Sequence, residues 1–181
     1  MNFRLIMPRD ISLERRIMIK EFVEAGGGLM VFGGLMNLSQ GEDHLSWLGE
    51  LLPVSIKKYK DLAIEPKGME LAAADKAFFP ARIDWSQKPC AFTIDLSQPK
   101  EGAKVLATAG GHPAIVAKDF GKGRVIAVLV NQMGNPEAER LAYWEWKFWP
   151  HVVGACLKWL GQGYEAKDAT AEAKQELDTE A

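Results

Sequence analysis

The sequence predicts an α/β fold, with a mostly parallel sheet flanked by helices and an antiparallel hairpin near the C-terminus. Three observations carry this expectation. A strand-like run, a helical run and a second apolar strand follow one another within residues 2–33. Glycine turns separate three strand-like runs between Lys104 and Val130. An aromatic-rich helical stretch then ends at Gly161.

Taken in order, NFRLIM (2–7) reads as a short strand stopped by Pro8. In the helix that follows, Asp10 or Ser12 can cap the N-terminus, and Ile11, Ile17, Ile19, Phe22 and Val23 mark the apolar side. Gly26 supplies the stop, and LMVF (29–32) has the unbroken apolarity of a strand covered on both faces. Strand, helix and strand form a β-α-β unit whose strands run parallel with a right-handed crossover. A polar loop and a short helix over about His44–Leu51 come next, stopped by Pro53. VSIKKYKDLAIEP and CAFTIDL alternate as exposed or edge strands. KGMELAAADKAFFPARIDW, between them, is expected to be mostly loop with one helical turn. KVLATA, PAIVAKDF and RVIAVLV are three strands, joined by GGHP and by the tight turn GKG. In LAYWEWKFWPHVVGACLKWLG, Trp149, Val152, Val153, Cys156, Trp159 and Leu160 recur at helical spacing, with Pro150 marking either the first turn of the main helix or a kink. The Ala- and Glu-rich tail 162–181 has no large apolar pattern and is expected to be disordered, leaving one domain over 1–161.

With 48% hydrophobic and 25% charged residues and a net charge of −2, the 181-residue chain has the balance of a globular domain. No basic run supports nucleic-acid binding. No apolar stretch reaches the roughly 18 residues of a spanning helix, and the N-terminus lacks a signal-peptide cleavage pattern. Cys90 and Cys156 sit in no Cys-x-x-Cys or Cys/His pattern and read as buried, reduced thiols, which suits a cytoplasmic setting. Glu42, Asp43 and His44 are consecutive on one short helix and cannot all face one ion, so neither a metal nor a cofactor is expected.

FVEAGGGLMVFGG, LGELLPVSI and HPAIVAKDFGKGRVIAVLV with its tryptophan-rich sequel, in that order, resemble class I glutamine amidotransferase-like domains of the uncharacterised kind, near the ThuA-like proteins. The resemblance covers about residues 14–161. It implies a flavodoxin-like sandwich with ligands at the carboxyl ends of the strands. It also implies strand and helix units ahead of those present here, so that the domain is expected to be incomplete at its N-terminus. A protein partner or a missing N-terminal segment would then cover the sheet edge. In catalytic amidotransferases the strand matching LMVFGG ends in an elbow, Gly-x-Cys-x-Gly, whose thiol works with a His and a Glu. Here those positions are Gly33, Gly34 and Leu35. Ser39 lies five residues beyond Gly34, off the elbow, and His151 and Cys156 lie five apart on one helix, pointing to different faces. No Cys-His-Glu triad can be assembled.

The candidate site is therefore a small polar cleft at two strand ends. Gly33, Gly34 and Asn37 follow one strand, Asn131 and Gln132 the other, and His112 in GGHP joins as a further ligand contact or a turn residue. Arg124 reads as an anchor pairing with a carboxylate. Trp144, Trp146 and Trp149 do not share one helical face; core packing and a partner surface divide them. Two functions fit: a non-catalytic binding or interaction module within a larger protein, with a small polar ligand possible, or a ThuA-like hydrolase or sugar-metabolism enzyme using a non-cysteine site.

Overall fold

The computed structural model describes residues 12–34, 37–41, 47–134 and 140–162. The expected strand 2–7, most of the Glu42–His44 triplet's loop, the middle of the 131–140 loop and the tail lie outside the described residues. Helix α1 (Leu13–Glu24) opens the chain, with the Ser12 hydroxyl accepting from Arg15 N at its N-cap. Strand β1 (Gly28–Phe32) follows, then a 3-10 turn (Leu38–Gln40) and the short helix α2 (Leu48–Leu51). Strands β2 (Val54–Ser55), β3 (Leu62–Ala73), β4 (Cys90–Asp95), β5 (Gln98–Pro99), β6 (Lys104–Ala109), β7 (His112–Phe120), β8 (Gly123–Val128) and β9 (Val130–Asn131) precede the last helix, α3 (Trp149–Leu160).

The sheet overturns the expected flavodoxin-like sandwich. Its seven strands run in the order β1-β8-β7-β6-β3-β4-β9. Only β1 and β8 are parallel; every other neighbouring pair in this sheet is antiparallel. The reason lies in the connections. A parallel neighbour needs a crossover of a dozen or more residues, whereas β6, β7 and β8 are joined by Gly110–Gly111 and Gly121–Lys122 alone. Both glycines of the first turn and Gly121 of the second have positive φ, which suits tight hairpins of the primed type. The C-terminal hairpin is thus as expected, but it is one part of a mostly antiparallel fold.

Two further expectations are corrected. LAIEPKGMELAA, read as a strand end running into loop, is one long strand, β3. A bulge absorbs Pro66 and Gly68: five steps along β3, Ile64 to Met69, face two along β4, Thr93 to Ala91. The aromatic helix is also shorter than its pattern. Residues 141–148 form a bridge and turns, and α3 starts at Trp149 with Pro150 in its first turn.

The sheet closes on itself at Leu129. Strand β8 ends at Val128 and β9 begins at Val130, so the two are one strand with a single-residue break. Across that break, Leu129 N donates to Ala114 O of β7 at 2.7 Å, and Leu129 O accepts from Asp95 N of β4 at 2.9 Å. Hydrogen-bonded neighbours therefore run from β8 through β7, β6, β3 and β4 back to β9. One apolar core fills the molecule, with Leu106, Ile115, Ile126, Leu129 and Trp146 almost fully buried. Strand β4 is covered along its whole length: Ala91 and Ile94 join this core, and Cys90 and Phe92 form a second cluster with Ala142 beneath Trp144. Trp146 and Trp149 are buried, whereas Trp144 is half-buried.

Candidate functional site at the end of the glycine strand

β1 and β8 point their carboxyl ends the same way, and the candidate residues gather there. Gly33 N donates to Val128 O at 2.7 Å and prolongs the parallel pairing by one residue. Asn131, at the end of β9, is 1% exposed, and neither Nδ2 nor Oδ1 has a hydrogen-bond partner. Its amide lies against Gly33. A Cβ there would overlap Asn131 Oδ1 and come within 3.2 Å of Val128 O and 3.3 Å of Leu129 O. Gly33 is required by this close approach rather than by an unusual φ.

On either side of Gly33 a backbone carbonyl is fixed by a side-chain amide. Asn37 Nδ2 donates to Phe32 O at 3.0 Å and Gln40 Nε2 donates to Gly34 O at 3.1 Å. Gly33, Gly34, Asn37 and Asn131 are thus brought together. Gln132 lies exposed just past β9. His112 is exposed on the β6–β7 turn, in register with Ala109, and gives no hydrogen bond to the unpartnered Asn131 amide. Leu35 lies outside the described residues.

The sequence reading missed the group that anchors this turn. Asp95, 2% exposed at the end of β4, accepts hydrogen bonds from Ser39 N at 2.9 Å and Ser97 N at 3.0 Å, and from both serine hydroxyls. Four donors around one carboxylate give the buried charge the partners it needs. The Asp-x-Ser spacing of Asp95 and Ser97 is a readable turn signal. The Ser39 partner is separated from Asp95 by 56 residues and leaves no local trace.

Neither thiol is placed for chemistry. Cys156 is fully buried in α3, and burial pushes its thiol up to about 12. Burial also raises Cys90, on β4, against an opposing effect from Arg140. Both are held as neutral thiols at neutral pH, away from the β1 elbow. Among the described residues no group of three or more His, Cys, Asp or Glu is positioned to hold a metal ion. Arg124 does act as an anchor. Its guanidinium reaches Asp119 at 3.5 Å, donates to Trp159 O at 3.2 Å and to Gln162 O, and lies 5.3 Å from the Trp159 ring centre.

A mixed sheet with a glycine-ended parallel strand and a closing aromatic helix defines the class, and sequence comparison supplies the family. Residues 3–162 match the family described as "Putative glutamine amidotransferase", and the chain belongs to this glutamine amidotransferase-like family. Among solved structures it is similar to the cytoplasmic protein STM3548 from Salmonella typhimurium, at 20% identity and a TM-score of 0.71, over 83% of this chain and 61% of that one. It is similar also to the cytoplasmic protein STM1381 from Salmonella typhimurium LT2, at 21% identity and a TM-score of 0.70, over 84% of this chain and 62% of that one. The chain therefore spans about three fifths of the length of these two structures. A search of curated proteins gives no match. Among the described residues no helix is long and apolar enough to cross a membrane.

Proposed function

We propose that this chain is a non-catalytic glutamine amidotransferase-like module that acts by interaction, as part of a larger protein. The elbow residues carry the reading. Gly33, Gly34 and Leu35 stand where catalytic relatives have Gly-x-Cys, and none of them offers a thiol or a hydroxyl. The two thiols that could replace the missing nucleophile are buried and protonated.

The interaction side of the reading rests on what α1 and β1 leave uncovered. Among the described residues β1 pairs with β8 alone, and its second edge has no described strand beside it. Beside it Leu13, Ile17 and Met18 of α1 are 67%, 47% and 65% exposed. A further α/β segment of a longer protein, adding a strand to that edge and a surface against α1, is the occupant this face suits. The longer chains of the two similar structures support the same choice.

The test of non-catalysis is ammonia release from glutamine by the full chain, beside a variant with both Cys90→Ser and Cys156→Ser. The expected result is no turnover above the blank in either. Turnover that disappears with the cysteines would overturn the reading.

A further inference from the structure

Outside the β1 elbow, a groove opens between α3 and the segment 77–82. One half, of about 380 Å³, is bordered by Arg82, His151 and Lys158 over Pro80 and Gly154. The other half, of about 510 Å³, shares Pro80 and Lys158 and adds Phe78, Trp159 and Gln162. On α3 the spacing His151, Gly154, Lys158 places all three on one helical face. A Cβ at Gly154 would meet nothing within 4 Å, so the floor of the basic half is bare helix backbone.

The charge of this groove is one-sided. Among the described residues no Asp or Glu borders either half. Arg82 and Lys158 form no ion pair with a described carboxylate. His151 Nδ1 is buried without a partner, which leaves Nε2 as the ring nitrogen available to a ligand. A guanidinium, an ammonium and an imidazole around one concavity favour an anion, and a planar fork beside a point charge suits phosphate oxygens. The aromatic half adds a second requirement. The Phe78 and Trp159 rings meet at 6.3 Å and 59°, and such a wall favours a planar, weakly polar body.

We propose that this groove binds a phosphate monoester carried on a planar ring, an aryl or nucleoside phosphate, with the phosphate between Arg82, His151 and Lys158 and the ring along Phe78 and Trp159. The site is separate from the β1 elbow and requires no reaction.

Titration calorimetry on the full chain at low salt tests this with phenyl phosphate, AMP, inorganic phosphate and adenosine. Phenyl phosphate or AMP is expected to bind, with inorganic phosphate and adenosine each about tenfold weaker or worse, a difference of about 1.4 kcal/mol. Arg82→Ala and Lys158→Ala should each weaken the ring phosphates by about tenfold. Gly154→Leu, which fills the floor and keeps every charge, should abolish binding while circular dichroism shows a folded chain. No heat from either ring phosphate at millimolar concentration would overturn the proposal, as would binding that survives Gly154→Leu. Equal affinity for inorganic phosphate would remove the role of the ring. Binding that emerges only after Glu165→Gln with Asp168→Asn would assign the groove to the chain's own acidic tail and overturn it too.

Discussion

Asn131 is the residue on which the site turns. Its buried amide makes no hydrogen bond, a state that costs about 1–3 kcal/mol for each orphaned group. Gly33 leaves the space in which that amide lies. Gly33→Ala forces a methyl group into Asn131 Oδ1 and two carbonyls, and overpacking of this kind destabilises by about 1–3 kcal/mol. The expected result in urea denaturation is a loss of that order. Asn131→Ala removes the amide and the clash together, so the double variant should lose less than the sum of the two single variants. Strict additivity would show that the two residues are not in contact.

At the scale of elements, the latch between the 3-10 turn and β4 sets the position of the glycine turn. Asp95 gathers donors from Ser39 and Ser97, and Asp95→Ala leaves all of them buried and unpaired. A buried donor left without its acceptor in this way costs about 1–3 kcal/mol. Chemical denaturation should show a loss of that size, against about 1 kcal/mol for Ser97→Ala. A loss below 1 kcal/mol for Asp95→Ala would show that the latch does not hold the turn. The same elements show what the sequence makes legible. Apolar runs and glycine turns mark β1, the β7–β8 hairpin and the core of α3, because each signal is local. Pro66 and Gly68 conceal β3, since both normally interrupt strands and only the pairing with β4 turns them into a bulge. The parallel reading of the sheet failed for a related reason. The unbroken apolarity of LMVF marks a strand of the one parallel pair, but that strand is half-buried with Phe32 exposed rather than covered on both faces, and the run says nothing of how the strands between β1 and β8 are connected. Gly33, Gly34, Asn37 and Asn131 were legible as strand ends, whereas the Ser39–Asp95 contact is set only by the tertiary fold.

For the whole molecule, the uncovered side of α1 and β1 governs behaviour in solution. Leu13, Ile17 and Met18 give an apolar stripe next to a strand edge without a described partner, a combination that drives association when nothing covers it. Sedimentation velocity on the isolated chain should show concentration-dependent self-association. Ile17→Lys with Met18→Lys should shift it towards monomer without loss of thermal stability, because both side chains face solvent. A chain that stays monomeric at high concentration would show that this face is inert.

Leu129 has a consequence for how the molecule assembles. The hairpins β6–β7 and β7–β8 bring together residues close in sequence and can form early, while β4 reaches β9 only after about 35 intervening residues have been ordered. Closure of the ring is therefore a later step than the hairpins, and the parallel pairing of β1 with β8, which joins residues such as Gly28 and Arg124, spans a longer stretch of chain still. The Asp95 amide, bonded across the break to Leu129, is expected to gain protection from exchange with solvent after the amides of the two hairpins. The glycine turn, tied to the Asp95 side chain through Ser39, takes its final shape only when that closure is complete.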